Sequence, residues 1–181
     1  MQNYYGPALR YLRVMPRPGM PTQGLLRAGN RTLRCALGRS GIGIKRGEGD
    51  GVTPRGCFRL LGVMVRAERV PVRHAAIDLC GISETDGWCD QPGDRNYNRP
   101  VNLPYPASHE KLARDDHLYD VALVMDYNVT RRLTAKGSGS AIFFHLARPD
   151  YTPTEGCVAI SRRDMLWLLP RIGPQTEMVV G

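Results

Sequence analysis

The dipeptide Gly29-Asn30 lies between two short strand-like runs, LLRA and TLRCALG. A glycine followed by an asparagine at this place favours a two-residue turn, because both residues tolerate the positive φ that a tight hairpin needs. Other short runs, apolar or β-branched, have the length and pattern of strands. They lie at 9–15, 57–66, 118–128, 141–147 and 177–180. The sequence therefore predicts a mainly-β fold.

Helical signals are few by comparison. The clearest lies at 161–173, where Ser161 can cap the first turn and Asp164 follows three residues later, as in a capping box. Gly173 is then the expected end of this helix. The segment 108–116 is a second, shorter helical candidate.

The long middle segment, 67–107, is rich in Gly, Pro, Asp and Asn. A loop of this length inside a compact domain is usually functional, since such loops commonly form lids or binding surfaces. We therefore expect it to cover one face of the sheet.

Length and composition are those of one ordinary domain. A chain of 181 residues is long enough to bury a core, and we expect a single domain, 1–181, with its core at about 10–180. No apolar run approaches the roughly 18 residues of a membrane span, so we expect no stable membrane insertion. The first residues lack the basic start and apolar centre of a secretory signal. We also expect a monomer.

The net charge of +8 predicts attraction to anionic partners. Lys and Arg are spread along the chain, however, and none of the common nucleic-acid-binding motifs is present. We therefore expect no nucleic-acid partner. A basic nucleic-acid binder remains an alternative that rests on charge alone.

The five cysteines lie at 35, 57, 80, 89 and 157. An odd number leaves at least one thiol unpaired in a monomer, and no two have the C-x-x-C spacing of a zinc or redox motif. Cys80 and Cys89 are near enough in sequence to bridge or to share a metal, but few ligand-type residues surround them. We expect two partly buried thiols there, and no metal or cofactor in the protein.

Cys157 differs from the others because Gly156 precedes it where a loop meets a short apolar run. Glycine leaves backbone N–H groups uncovered, and two such groups can bind the oxygen of a tetrahedral intermediate. His145 lies twelve residues upstream, and Pro149 and Pro153 make a turn back plausible. An imidazole within reach could take the thiol proton, and nearby arginines would favour the thiolate. Spacing alone also allows a buried thiol and a hydrogen-bonded core histidine.

The stretch HLARPDYTPTEGCVAI, 145–160, resembles the signature of the L,D-transpeptidase catalytic domain, the YkuD family. The stretch GDGVTPRGCFRL, 49–60, is similar to that family's Thr-Pro-x-Gly-x-Phe segment. The region between them resembles a short, single-domain proteobacterial branch of the family. The matching residues are His145, Thr154, Gly156 and Cys157 in the first stretch, and Thr53, Pro54, Gly56 and Phe58 in the second.

This resemblance implies a YkuD-like mixed β-sandwich with a few short helices and a long loop insert over the active site. It implies that Cys157 attacks a carbonyl of a peptidoglycan stem peptide and forms a thioester, with His145 as its base. Gly156 and Cys157 would supply the oxyanion N–H groups, and a diaminopimelate amine of a neighbouring stem would be the acceptor. Such an enzyme works in the periplasm, although no export signal is visible. The similar branch is associated with 1,3 crosslinks, whereas most relatives make the 3,3 type.

Two positions depart from the family pattern. Relatives often have His before the Gly-Cys pair and Arg two residues after the cysteine, where this chain has Glu155 and Ala159. The role of the missing arginine would then pass to Arg148 or Arg162, or the donor stem would be held differently.

Several residues are candidates for holding the substrate. Aromatic and amide side chains of the middle segment would line a groove, and Asp86 and Asp90 would hold the diaminopimelate ammonium. The alternative is that these residues pin a surface loop to the core. The complete set of substrate-binding candidates is Thr154, Arg148, Arg162, Trp88, Tyr97, Asn98, Asp86 and His117, with Tyr105 and Asp90 in addition.

The remaining histidines are weaker candidates. His117 occupies a strand-like run and is expected to act, if at all, behind the residues that touch the substrate. His74 and His109 are expected to be exposed loop or helix residues.

Two other functions stay open. A hydrolytic relative, an L,D-carboxypeptidase or endopeptidase, would let water resolve the thioester, and the motifs are the same for both reactions. A non-catalytic peptidoglycan-binding module is favoured by the missing arginine, but it has no need of a thiol at the loop-to-strand junction.

Overall fold

The computed structural model describes residues 7–72, 77–129 and 135–181. Within them the structure is mainly β, as predicted, with fourteen strands, one α-helix and one 3-10 helix. The first seven strands are β1 (Leu9–Arg17), β2 (Met20–Ala28), β3 (Arg31–Ala36), β4 (Ile42–Gly43), β5 (Thr53–Pro54), β6 (Gly56–Val65) and β7 (Leu79–Gly81). The others are β8 (Asp86–Cys89), β9 (Arg99–Asn102), β10 (His109–Lys111), β11 (Val121–Met125), β12 (Phe143–Leu146), β13 (Val158–Ile160) and β14 (Ile172–Val180). The helix α1 (Arg162–Leu168) continues into a 3-10 turn at Leu169–Arg171.

The main sheet has nine strands in the order β11-β12-β13-β3-β2-β1-β14-β6-β7. Because β6 also pairs with β11, eight of these strands close into a ring, which leaves fewer unpaired backbone groups at its edges. A separate three-stranded sheet has the order β10-β8-β9, and β4 pairs with β5.

The two faces of β12 and β13 bury different residues. Phe144, Leu146, Val158 and Ile160 belong to the main hydrophobic core, into which α1 also packs. Phe143 alternates with them and points to the opposite face, as the two-residue period of a strand requires. There it meets side chains of the three-stranded sheet in a second, smaller core.

The predicted hairpin at Gly29-Asn30 is confirmed. Ala28 pairs with Arg31 across the turn, and Gly29 has φ +62°. A second hairpin, which the sequence analysis missed, joins β1 to β2 through Pro18-Gly19. The Pro-Gly pair is itself a recognised turn signal.

The predicted helix at 161–173 is confirmed at its start and wrong at its end. The Ser161 side chain accepts a hydrogen bond from the Asp164 N–H, as a helix cap does. The helical residues end at Arg171, however, and Gly173 lies inside β14.

The helix predicted at 108–116 is wrong. Its residues His109–Lys111 form β10 and pair with Gly87–Cys89 of β8. His109 is therefore a half-buried strand residue rather than an exposed loop or helix residue, and its Nδ1 lies 2.7 Å from the Ala107 carbonyl oxygen. His74 lies outside the described residues.

The middle segment, 67–107, is not one continuous loop. It contains β7, which extends the main sheet, and β8 and β9 of the three-stranded sheet. The three-stranded sheet packs against Phe143 through Trp88, and the two ring centroids lie 5.2 Å apart in an edge-to-face contact.

Among the described residues, no helix has the length and apolar character needed to cross a bilayer.

Candidate active site

Two neighbouring parallel strands place Cys157 and His145 on one face of the sheet. His145 of β12 is the register partner of Ala159 in β13, and Cys157 lies two residues before Ala159. Cys157 directly precedes β13, and because residues two apart along a strand share a face, it lies on the same side as Ala159 and diagonally from His145. The long loop between the two residues thus does turn back, as the sequence spacing predicted.

Both side chains line the same cavity, which has a volume of about 460 Å³. Tyr119 lines it too, and its ring stands edge-to-face with His145 at 5.2 Å. The cavity carries both signs of charge, which suits a polar peptide with ammonium and carboxylate groups. Its charged lining residues are Lys45, Glu48, Asp90, Glu110, Arg114, Arg148 and Glu155.

The His145 ring is fixed and neutral. Its Nδ1 lies 2.9 Å from the Leu146 carbonyl oxygen, which can only accept, so Nδ1 carries the proton and Nε2 carries the lone pair. Burial of the ring lowers the pKa of His145 to about 4, because a charged imidazolium would lose its hydration there. At neutral pH this histidine is therefore able to accept a proton through Nε2.

The Cys157 thiol is buried and protonated. Its sulfur accepts a hydrogen bond from the Phe143 N–H and donates one to the Ala141 carbonyl oxygen, each at 3.3 Å. Burial raises the pKa of Cys157 to about 12, while the charge of Lys45 acts in the opposite direction. The expectation of a thiolate favoured by neighbouring arginines is therefore wrong for this structure. The burial of the sulfur outweighs the nearby positive charge.

The loop before Cys157 is held by Thr154. The Thr154 hydroxyl donates to the Cys157 carbonyl oxygen at 2.6 Å and accepts from the Gly156 N–H at 3.2 Å. The Gly156 N–H is thus occupied, contrary to the expectation that it is available for an oxyanion. For the Cys157 N–H, no acceptor is found within the described part of the chain.

Gly156 is required by its conformation and by the space around it. Its φ is +135°, and a Cβ placed there would lie 2.8 Å from the Val52 carbonyl oxygen. Val52 immediately precedes the Thr-Pro-x-Gly-x-Phe segment, so the two parts of the sequence signature meet at this point. Thr53 supports the same contact by accepting a hydrogen bond from the Gly38 N–H at 2.7 Å.

Both residues that depart from the family pattern, Glu155 and Ala159, line the cavity. Glu155 lies at the cavity rim, where it forms an exposed ion pair with Arg39 at 3.0 Å. Ala159 is buried on the cavity floor beside His145 and Ala36. Its methyl group brings no charge to that part of the floor.

The three other candidates on this side of the molecule occupy different positions. Arg148 lines the cavity and is half exposed, 3.5 Å from Asp116. Arg162 pairs with Asp120 at 3.4 Å and is not among the described residues that line the cavity. His117 also lies behind the lining, where its Nε2 is 3.1 Å from the Ala147 carbonyl oxygen.

Trp88 and Asn98 of the middle segment do not line the cavity that contains Cys157. Trp88 is buried and donates to the Asn98 Oδ1 at 2.9 Å. Asn98 is buried as well and also accepts from the Ala141 N–H at 3.0 Å. Both therefore join the covering segment to the core, the alternative that the sequence left open, rather than lining the cavity.

Tyr97, Tyr105 and Asp86 are likewise bound to other parts of the protein. The Tyr97 hydroxyl donates to Glu48 and accepts from the Gly139 N–H, and burial raises the pKa of Tyr97. Tyr105 donates to Asp94 at 2.7 Å. Asp86 accepts from the Ser83 N–H at 2.7 Å and lines a second cavity next to Trp88 and Cys80.

Asp90 does line the cavity that contains Cys157. Its Oδ1 is buried and has no hydrogen-bond partner among the described residues, and the same is true of the Ser140 hydroxyl on the cavity wall. Sequence reasoning named Asp90 but missed Ser140. A buried oxygen without a partner is costly, so both atoms are suited to accept from a bound ligand.

Sequence reasoning also missed Lys45, Arg114 and Tyr119. Lys45 follows the short strand β4 and is separated from Cys157 by most of the chain. Arg114 is paired with Asp116 at 2.9 Å and stacks over the Tyr119 ring at 5.2 Å. Only Lys45 had a local signal, because it precedes the glycine-rich stretch GEGDG that leads into the Thr-Pro segment.

The structure contains five free thiols. Cys80 is exposed on β7 and Cys89 is buried on β8, so the expectation of two partly buried thiols is wrong for both. In residues 7–72, 77–129 and 135–181, no group of three His, Cys, Asp or Glu side chains is placed to hold a metal ion.

A buried cysteine and a neutral histidine that line one cavity of a mainly-β domain form a site suited to acyl transfer. The family comparison identifies the class more closely, because the model of the L,D-transpeptidase catalytic domain, YkuD, matches residues 21–180. The chain therefore belongs to the YkuD family.

Comparison with solved structures finds L,D-transpeptidase 1 of Mycobacterium tuberculosis, with 13% sequence identity and a TM-score of 0.41. The match covers 97% of this chain and 62% of the mycobacterial chain, so this chain spans less than two thirds of the length of that protein. None of the curated proteins matches the sequence.

Proposed function

We propose that this chain is a peptidoglycan L,D-transpeptidase in which Cys157 is the nucleophile and His145 the base. The Cys157 sulfur bonds to the carbonyl carbon of a stem peptide while the thiol proton passes to His145 Nε2. The amide C–N bond then breaks, its nitrogen takes the proton from His145, and the acyl group remains on sulfur as a thioester.

In the second half of the reaction, a diaminopimelate amine of a neighbouring stem attacks the thioester carbon. It gives up a proton to His145, the S–C bond breaks, and the sulfur takes the proton back. The product is a crosslink between two stems, and we propose the 1,3 type, from L-Ala to diaminopimelate. Because the substrate lies outside the inner membrane, we propose that the protein works in the periplasm.

The observation that carries this proposal is the shared cavity of Cys157 and His145. The hydrogen bond from Nδ1 to the Leu146 carbonyl leaves Nε2 as the acceptor, and Nε2 is the atom that a general base needs. A buried thiol with a neutral imidazole also supports a particular order of events. A separate thiolate–imidazolium pair is costly without water, so the proton moves as the sulfur attacks.

The cavity wall supports a peptide with an ammonium group as the acceptor. Asp90 Oδ1 and Ser140 Oγ are buried acceptor atoms without partners among the described residues. The attacking amine has two N–H donors, which can satisfy both acceptors while its lone pair is free to attack the thioester. Arg148, half exposed at the same cavity, is available for a stem carboxylate.

The experiment is an incubation of the purified protein with muropeptides, followed by mass spectrometry of the products. We expect crosslinked dimers, a covalent adduct on Cys157, and fragments that identify the 1,3 linkage. Cys157→Ala should form neither adduct nor dimer. Cys57→Ala is the matched control, because Cys57 is an exposed thiol on β6, away from the cavity.

Each other outcome has a definite meaning. Dimers formed at the wild-type rate by Cys157→Ala would refute the nucleophile. Trimmed monomers without dimers would establish a hydrolase, and binding without any covalent adduct would establish a binding module. Fragments that identify a 3,3 linkage would refute the 1,3 assignment alone.

A further inference from the structure

Lys45 brings a buried positive charge to the Cys157 cavity. Its side chain is only 2% exposed, although lysine is among the residues that are least often buried. Its Nζ lies 3.6 Å from the position that a Cβ would occupy on Gly156, so the ammonium lies beside the residue that precedes the cysteine.

The path of this side chain depends on a second glycine. A Cβ on Gly139 would lie 2.2 Å from the Lys45 Cε and 2.8 Å from its Cδ. Both glycines have positive φ, +106° for Gly139 and +135° for Gly156, which disfavours other residues there. The lysine stem therefore runs through a channel that only glycine leaves open.

Asp50 fixes the ammonium in place. Its Oδ1 lies 2.6 Å from Lys45 Nζ and accepts from the Val52 N–H at 3.0 Å. Its Oδ2 accepts from the N–H groups of Arg46 and Gly47 at 2.8 and 3.3 Å. Three backbone N–H groups donate to the Asp50 carboxylate as well, so its negative charge is shared between them and the Lys45 ammonium. These contacts together lower the pKa of Asp50 to about 2.

Lys45 keeps donors for another acceptor. An ammonium has three N–H groups, and Asp50 is the single hydrogen-bond partner of Nζ in the described residues. Of the other cations at the cavity, Arg114 is 31% exposed and neutralised by Glu110 and Asp116, and Arg148 is 48% exposed. Water and counter-ions weaken exposed charges far more than buried ones.

We propose that Lys45 is a catalytic residue whose ammonium stabilises the negative charge that develops during the reaction, on the Cys157 sulfur as its proton leaves and on the attacked carbonyl oxygen. The inference rests on the proposed acyl transfer. It assigns the electrostatic role to a residue that lies far from the cysteine in sequence and that reaches it through the glycine channel. In this arrangement the Cys157 N–H and the Lys45 ammonium together bind the oxyanion.

The first test measures the thiol without any peptidoglycan. Iodoacetamide labelling of Cys157 is followed by mass spectrometry of its own peptide, from about pH 7 to about pH 10. In Lys45→Met the positive charge is lost, so labelling at a fixed pH should be several-fold slower, because the charge of Lys45 favours the Cys157 thiolate. In Asp50→Asn the opposing negative charge is lost, so labelling should be faster than in wild type. A purely structural defect would not move the two variants in opposite directions.

The second test measures acylation of Cys157 by a stem tetrapeptide in single-turnover reactions. Lys45→Met should acylate about 100-fold more slowly, the typical effect of removing one oxyanion donor, and Lys45→Arg should recover part of the rate. Lys111→Met is the matched control, because Lys111 is 50% exposed and pairs with Glu84 outside the cavity. It should behave as wild type in both tests.

The outcomes separate this inference from the proposed function. Unchanged labelling in Lys45→Met, or a shift of both variants in the same direction, would overturn the role of Lys45. If Lys45→Met fails to fold, Asp50→Asn decides: faster labelling supports the inference, and unchanged or slower labelling refutes it. If wild type forms no thioester while the two variants still shift labelling in opposite directions, the transpeptidase proposal fails and the effect of Lys45 on the thiol stands.

Discussion

The Nδ1 atom of His145 lies 2.9 Å from the carbonyl oxygen of Leu146, the next residue in the same strand. This contact fixes which ring nitrogen carries the proton, because a carbonyl oxygen cannot donate. The ring is also buried against Tyr119, which keeps it uncharged. A histidine in this state can act as a base over a wider pH range than an exposed one.

The first prediction concerns the pH dependence of acylation. Burial lowers the pKa of His145 to about 4, so the neutral form needed to accept the Cys157 proton persists as the pH falls through its ordinary pKa of 6.5. We expect the single-turnover acylation rate to stay level from about pH 8 to about pH 5 and to fall only as the pH approaches 4. A stopped-flow series with a stem peptide measures this. A rate that halves near pH 6.5 would show that the ring is solvated in the active state.

The second prediction concerns the order in which the thiols react. Burial raises the pKa of Cys157 to about 12, and the residue is only 7% exposed. Cys57 and Cys80 are exposed and should react with iodoacetamide before Cys157 does, since both access and thiolate are required. Peptide mass spectrometry over a labelling time course gives the order. Fastest labelling at Cys157 would agree with the thiolate expected from sequence and contradict the buried, protonated thiol of the structure.

Local patterns were sufficient to predict the parts of the fold that depend on neighbours in sequence. Gly29-Asn30 predicted its hairpin because turn geometry is a local property. Ser161 predicted the start of α1 for the same reason. The short apolar runs also indicated a strand that carries His145 and a loop-to-strand junction at Cys157.

The remaining features depend on contacts between distant parts of the chain. The segment 108–116 was wrongly predicted to be a helix. Its strand β10 forms by pairing with β8, and no local periodicity of the sequence reveals that pairing. The thiol pKa was misjudged because burial outweighs nearby charge, and burial follows from the packing of the second core around Cys157. Lys45 was missed because its proximity to the cysteine depends on Gly139 and Gly156, which lie far from it in sequence.

The third prediction tests whether the middle segment holds substrate or supports the site. Asn98 accepts from Trp88 and from the Ala141 N–H, and its Nδ2 donates to the Asn128 carbonyl oxygen at 2.8 Å. Asn98→Ala leaves these buried groups unpaired, so we expect a loss of about 3 kcal/mol in the free energy of unfolding. Urea denaturation measures it, with the exposed Asn102→Ala as a near-neutral control.

The consequence for activity distinguishes the two roles of Asn98. The Ala141 carbonyl accepts from the Cys157 thiol, so displacement of Ala141 should also reduce kcat. A variant with unchanged stability and a raised KM would instead support direct binding of the stem peptide by Asn98.

The last prediction concerns Gly156. Alanine at this position must adopt φ +135° and brings its Cβ to 2.8 Å from the Val52 carbonyl oxygen. Because the close contact is with a backbone atom rather than with a flexible side chain, we expect Gly156→Ala to lose about 1–3 kcal/mol in the free energy of unfolding and most of its acylation rate. Gly19→Ala is the matched control, since Gly19 also has a positive φ, +72°, but nothing lies within 4 Å of its Cβ position. It should cost less stability and leave acylation unchanged, and equal losses in the two variants would mean that φ alone, and not the close approach of Val52, makes glycine necessary at position 156.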